Sequence, residues 1–284
     1  MSAGDGDAGR TIRRILVALD ASPDSLAAVE ASAALAAALE AELIGLYVED
    51  VNVLRLVGRA TATEIDFLSG RPRPLGRRDL ERQLRGQASR ARRTLEKAAR
   101  SLSVRWSFRT TRGRVPAELR SAEADLITLG VRGHGPGRGP GSTVRELLEV
   151  AGAPVLVTRR GVRIGGTVHV LHDGGATGER AVEIAARVAR GGAGALTVLM
   201  VAPADRGPEV EEAQLREQLR SQATRAGDEP PDVRIRWLPA ADAEAILGVT
   251  RRDRCGLLIL PRSGPVSDLR LLLRRVHCPV LVVD

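Results

Sequence analysis

The sequence predicts an α/β fold of two tandem open, mainly parallel five-stranded sheets with helices on both faces, a Rossmann-like arrangement. Three observations predict it. Short apolar runs alternate with longer helical patterns, the signature of a parallel sheet with crossover helices. The alternation restarts in the second half of the chain. One apolar run empties into a glycine-dense loop that opens onto a helix. The 284 residues are ample for two domains with cores of their own.

Ile12 to Asp20 reads as the first strand, and Ile15 to Leu19 is the near-continuous apolar run of a strand buried on both faces. The chain turns at Asp20-Ala21-Ser22-Pro23-Asp24, with Ser22 as a helix N-cap and Pro23 at the first helical position. Asp24 to Glu42 is alanine-rich and helical, with Leu26, Val29, Ala33, Ala36 and Leu39 at helical spacing. Leu43 to Val48 is the second strand. Val51 to Gly76 reads as irregular, and Arg71 to Gly76 as a loop because of its prolines. Arg77 to Leu102 is a long helix with Leu80, Leu84, Ala88, Ala91, Leu95, Ala98 and Leu102 on one face; its arginines lie mainly on the other, a solvated face. Val104 to Thr110 is an alternating strand carrying Trp106 and Phe108. Val115 to Ala122 is a helix, Asp125 to Leu129 a strand, Val144 to Val150 a helix and Ala153 to Thr158 a closing strand.

The loop between the last two of these strands carries the chemistry. It runs Gly130-Val131-Arg132-Gly133-His134-Gly135-Pro136-Gly137-Arg138-Gly139-Pro140-Gly141-Ser142-Thr143. Glycines let backbone N–H groups approach an anion without interference from Cβ. The helix that follows adds unpaired N–H groups and the positive end of its dipole. Ser142 and Thr143 add hydroxyls where the first helical turn begins. Open α/β sheets bind ligands at the carboxyl ends of their strands, which is where this loop falls. The pattern points to a nucleotide phosphate chain.

The second half repeats the first. Thr167 to Asp173 matches the first strand, with Asp173 in the place of Asp20; Ala181-Val182-Glu183 matches Ala28-Val29-Glu30 and Val201 matches Val48, all at an offset of 153. Trp237 matches Trp106, and Leu257 to Leu260 match Leu126 to Leu129, at an offset of 131. Cys278-Pro279-Val280-Leu281-Val282 matches Ala153-Pro154-Val155-Leu156-Val157 at 125. The last change of offset removes the glycine loop. In its place stands Pro261-Arg262-Ser263-Gly264-Pro265, without Gly-Ser-Thr.

Composition narrows the function classes. The net charge is +8, but Lys97 is the only lysine and aromatics are 2%, so there is no row of stacking platforms for single strands and nucleic acid is not expected as a partner. A P-loop needs Gly-Lys-Ser/Thr, and Lys97 sits inside a helix. No run is long enough to cross a membrane, so no membrane partner is expected. Met1 to Arg10 is Gly/Ala/Asp-rich without an apolar signal core, which reads as a disordered tail on a cytoplasmic protein. Cys255 and Cys278 lie far apart in sequence and offer no disulfide framework. His169 and His172 fall on one strand, on opposite sides, and no metal site is expected.

The opening Ile15-Leu16-Val17-Ala18-Leu19-Asp20, the glycine loop and the closing Ala153-Pro154-Val155-Leu156-Val157 together resemble the universal stress protein family, in a tandem form that covers nearly all of residues 12–284. The resemblance implies an N-terminal domain over 11–161 that carries the nucleotide loop and a degenerate C-terminal domain over 166–284. ATP-binding members read G-x2-G-x9-G-[S/T]; here Gly130-x2-Gly133 is followed by seven residues and then Gly141-Ser142, a spacer two residues short. By resemblance, Asp20 lies near the ribose or phosphates, Val48 meets the adenine, Leu129 and Gly130 border the ribose and first phosphate, and Gly133, Gly141, Ser142 and Thr143 cradle the phosphates of ATP, with or without magnesium. Asp20 and Ser142 can equally serve as helix caps, and Val48 as core. Family members dimerise through the terminal strand, so the two Pro-Val-Leu-Val strands are expected to pair within the chain as a pseudo-dimer, with a further homodimer open. The resemblance makes this a stress-response protein with ATP as a regulatory ligand and a structural second half. Slow ATP hydrolysis and a nucleotide-free interaction module remain alternatives. A PP-loop adenylating enzyme is not indicated, because its Ser-Gly-Gly-x-Asp-Ser start is missing after the first strand.

Overall fold

The computed structural model describes residues 11–20, 22–57, 63–65, 72–74, 76–132, 140–150, 152–201, 207–262 and 269–284. In the first half these form β1 (Arg14–Leu19), α1 (Pro23–Leu39), β2 (Glu42–Asp50), α2 (Val51–Val57), β3 (Thr63–Ile65), β4 (Pro72–Pro74), α3 (Arg77–Ser101), β5 (Trp106–Gly113), α4 (Val115–Ser121), β6 (Leu126–Gly130), α5 (Ser142–Val150) and β7 (Val155–Thr158). The second half contains β8 (Thr167–His172), α6 (Ala176–Val188) running into a π-helical turn (Ala189–Ala193), β9 (Leu196–Val201), α7 (Pro208–Ala226), β10 (Val233–Leu238), α8 (Ala243–Arg252), β11 (Cys255–Pro261), α9 (Leu269–Arg275) and β12 (Val280–Val283).

Local signals fix most boundaries. Ser22 caps α1 by accepting a hydrogen bond from the Ser25 N–H, and Pro23 takes the first helical position. The helix stops at Leu39 rather than Glu42. Glu40 adopts the left-handed conformation at φ 55°, and Ala41 N–H returns to Ala36 O at 2.9 Å. Glu42 is thereby released to open β2 opposite Arg14. The stretch expected to be irregular, Val51 to Gly76, contains α2 and a two-stranded antiparallel hairpin of β3 and β4. Pro72 and Pro74 lie on that hairpin and not in a loop. A two-stranded ribbon gives each strand an outer side that needs no donor, so proline is tolerated there.

One ten-stranded sheet runs through the molecule in the order β10-β9-β8-β11-β12-β7-β6-β1-β2-β5. Each half contributes the same order of five strands, and within each half all pairs are parallel. The halves meet where β7 and β12 pair antiparallel, with Val157 opposite Val280, Leu156 opposite Leu281 and Val155 opposite Val282. Side chains alternate across this seam. Leu156 and Leu281 enter the apolar layer beneath α1, α3, α6 and α7, whereas Val155, Val157, Val280 and Val282 enter the opposite layer beneath α4, α5, α8 and α9. Both layers are continuous across the two halves.

The helices also meet across the seam. A Cβ built on Gly191, in the π-helical turn, would lie 2.2 Å from the Ala38 carbonyl oxygen of α1. Only a bare backbone allows this approach. Gly191→Ala is therefore expected to destabilise the chain by about 1–2 kcal/mol, read as a lower urea midpoint at unchanged slope.

His169, on β8, is fully buried, with Nε2 3.8 Å from Asp253 Oδ2. Burial holds its pKa below the usual histidine value, against the opposing pull of the Thr167 carbonyl and Asp253. The folded protein thus binds fewer protons than the unfolded chain below about pH 6.5, and stability falls as pH drops through that value. Unfolding midpoints measured from pH 7 to pH 5 should decline, and His169→Gln should flatten the decline.

Candidate functional site

The carboxyl ends of β1 and β6 lie side by side, since the two strands pair with Ile15 opposite Leu126 and Val17 opposite Thr128. Asp20 leaves one end and Gly130 closes the other. Val131 N–H then donates to Thr158 O at 2.6 Å, and Gly141 N–H donates back to Val131 O at 2.9 Å. The chain departs from and returns to one point, and α5 starts directly on the end of β6. Gly133 falls in 133–139, outside the described residues.

Arg145 N–H donates to Gly141 O at 3.1 Å, which makes Gly141 the cap of α5 and Ser142 its first helical residue. Ser142 is thus not the cap. The N–H groups of Ser142, Thr143 and Val144 have no carbonyl four residues back within the helix, and the positive end of its dipole lies at the same place. Ser142 is exposed and Thr143 half-buried.

The other expected residues divide into two groups. Asp20 Oδ1 accepts the Ser22 N–H at 2.9 Å, and the Asp20 N–H reaches Ser25 Oγ at 3.3 Å. Its carboxylate shapes the turn into α1 while standing at the mouth of the site. Leu129 is buried, so only its backbone borders the mouth. Gly130 has a packing role: a Cβ there would lie 2.7 Å from Asp24 Cβ and 2.8 Å from the Asp24 carbonyl carbon. Val48 lies towards the carboxyl end of β2, beside β1, half-buried against the layer that holds Leu129 and Val144. Asp20, Val48, Leu129, Gly130, Gly141, Ser142 and Thr143 therefore share the carboxyl end of the sheet.

Sequence reasoning missed Asp24, Arg132 and Arg160. Asp24 is buried, accepts the Arg160 N–H at 2.9 Å and lies 3.6 Å from Arg132 Nε. An acidic residue in a first helical turn reads as a dipole partner, and nothing in its local sequence shows that the end of β7 will fold onto it. Arg159, beside it, crosses to the second half and donates to Leu273 O and Arg274 O. Burial, then the Arg132 charge, lowers its pKa.

The second half has the same frame put to other use. Pro261 closes β11 where Gly130 closes β6, and Arg262 N–H bonds Val283 O at 2.7 Å as Val131 bonds Thr158. The Arg262 guanidinium then pairs with the Asp284 carboxylate and crosses to the carbonyls of Leu148 and Ala153. Leu148 and Leu273 are equivalent positions of the repeat, so each half receives a guanidinium from the other at the end of the equivalent helix. A hollow of about 720 Å³ lies at the carboxyl ends of β8 and β9, lined by His172, Asp173, Glu179, Val201 and Glu211 among others. Its three carboxylates oppose a phosphate.

Residues 11–159 match the model of the universal stress protein family, and the chain belongs to that family. A universal stress protein from Archaeoglobus fulgidus is 18% identical, with a TM-score of 0.63 over 95% of each chain. A functionally unknown protein from Pseudomonas aeruginosa PAO1 is 17% identical, with a TM-score of 0.57 over 98% of this chain and 94% of that one. A putative universal stress protein from Pseudomonas aeruginosa UCBPP-PA14 gives 17% and 0.57 over 97% and 94%. These likenesses show the shared tandem fold. No curated protein sequence matches the chain. Among the described residues no helix is long and apolar enough to cross a membrane.

Arg262 ties the Asp284 carboxylate and the carbonyls of Leu147, Leu148 and Ala153 to one partly buried charge. Arg262→Met should cost about 2–4 kcal/mol, measured as a lower denaturation midpoint, because it leaves Asp284 and the carbonyls of α5 without their donor.

Proposed function

We propose that the first half binds ATP as a regulatory ligand and that the second half is structural. The supporting observation is the junction of β6 and α5. Gly141, whose N–H bonds Val131 O, seats α5 on the end of β6, so the N–H groups of Ser142, Thr143 and Val144 lie at the carboxyl end of the strand that pairs with β1, which leads into Asp20. Such a helix start on a glycine-rich loop suits a polyphosphate. Arg132 stands at the same end of the sheet, paired with Asp24. The adenine would lie toward Val48 on β2, and Leu129 and Gly130 would border the ribose. Gly133 belongs to the proposed cradle on the resemblance alone.

The fit is one-sided within the chain. Pro261 has no N–H to give, Arg262 is committed to the seam, and the second hollow carries Asp173, Glu179 and Glu211. One nucleotide per chain is the expected stoichiometry. ATP supplies charge and shape to the first half as a ligand. Among the described residues no group of three or more His, Cys, Asp or Glu side chains could hold a metal ion, and a magnesium ion would enter with the phosphates near Asp20.

Calorimetric titration of the full chain with ATP tests the reading. One site is expected, and Gly141→Asp should weaken it at least tenfold by setting a carboxylate against the phosphates. Glu211→Gln in the second hollow should leave it unchanged. Unchanged affinity in Gly141→Asp would refute the loop assignment. No binding by the wild-type chain would favour the nucleotide-free module, and phosphate release well above a Ser142→Ala control would favour a slow ATPase.

A further inference from the structure

The two cysteines of the chain are 23 residues apart in sequence, yet their Sγ atoms lie 2.9 Å apart and are unbridged. Their spacing alone does not bring them together. Cys255 opens β11, and Cys278 stands two residues before β12. Leu258 opposite Val280 sets the register of these strands, and Leu258 N–H bonds Pro279 O at 3.0 Å. Counting back by twos, Cys278 shares a face with Val280 and Leu258, and Cys255 should point to the other side.

A bulge reverses that. The register of β11 against β8 shifts between Cys255 and Leu257, placing one extra residue, Gly256, in β11. Cys255 is thereby turned onto the face of Leu258 and Cys278, and it packs against their apolar layer. The cause is local: a Cβ on Gly256 would overlap the backbone of Gly165, in the segment joining the halves. The first half has Ala124 and Ala153 at the equivalent positions, so the fold itself does not require sulfur there.

We propose that Cys255 and Cys278 form a dithiol site that closes to an intrachain disulfide with hydrogen peroxide. The sulfur of Cys255, the partly exposed member, attacks one peroxide oxygen; the O–O bond breaks, water leaves and a sulfenic acid forms. The sulfur of the buried Cys278 then attacks Cys255 Sγ, the S–O bond breaks, and the hydroxyl leaves as water with the Cys278 proton. Two thiols lose two electrons and two protons, and one peroxide becomes two waters. Only a small closure separates the present contact from a bond of about 2.05 Å. Burial raises the Cys255 pKa, so the thiolate is scarce and the reaction slow, favouring a small neutral oxidant over bulky disulfides.

The product would tie the start of β11 to the entry of β12, the strand at the seam, and close the loop that contains Arg262 and α9. The test uses the full chain, reduced, freed of reductant and exposed to peroxide. Intact mass under denaturing conditions should fall by two hydrogens, both thiols should resist alkylation, and a Cys255–Cys278 peptide should appear. The thermal midpoint should rise by about 5 °C and return with dithiothreitol. Cys278→Ala, which installs the first half's residue, should abolish the cross-link and the midpoint shift. Persistently alkylatable thiols, sulfinic acids without a cross-link, or a disulfide between two chains would each overturn the proposal.

Discussion

The antiparallel pairing of β7 with β12 is the constraint on which the rest depends. Three residue pairs of Val and Leu join two five-stranded sheets into one. Left alone, each terminal strand would be an apolar edge with unpaired N–H and C=O groups. Pairing them buries both faces and makes the two apolar layers continuous. Holding both strands on one chain raises their effective concentration, so the pairing needs no second molecule. The edges that remain, β5 and β10, carry the exposed Arg109, Arg112, Arg234 and Arg236, charges that discourage further pairing.

The two halves serve the seam with different residues. Arg159 and Arg262 cap equivalent helix ends across it, but they come from non-equivalent positions. Arg262 occupies the start of the segment that in the first half becomes the glycine loop. Its side chain is spent on the Leu148 and Ala153 carbonyls and on Asp284, where the first half has Val131.

Much of this was legible in the residues. Apolar periodicity gave the five main-sheet strands of the first half and four of its helices in order, and the internal repeat carried the strands into the second half, because burial on both faces of a parallel sheet leaves little choice of side chain. Boundaries erred where backbone conformation overruled composition. Glu40 ends α1 early through a left-handed turn that its side chain does not announce. The prolines of β4 entered a strand because a hairpin excuses their missing N–H. At the site, the sequence pattern reads Gly141 and Gly130 as glycines of a phosphate loop; what the geometry gives them is structural work: Gly141 caps α5, and Gly130 admits the first turn of α1.

The sequence by itself determined the alternation of elements, the internal repeat and the loss of the glycine loop from one copy, since each is written in local pattern. Tertiary structure alone decided which distant groups meet. Asp24 with Arg160, Arg262 with Leu148 and Cys255 with Cys278 are separated by tens to more than a hundred residues. Their contacts follow from sheet order, register and a single bulged glycine, and those are set by the packing of whole elements, which no local stretch of residues encodes.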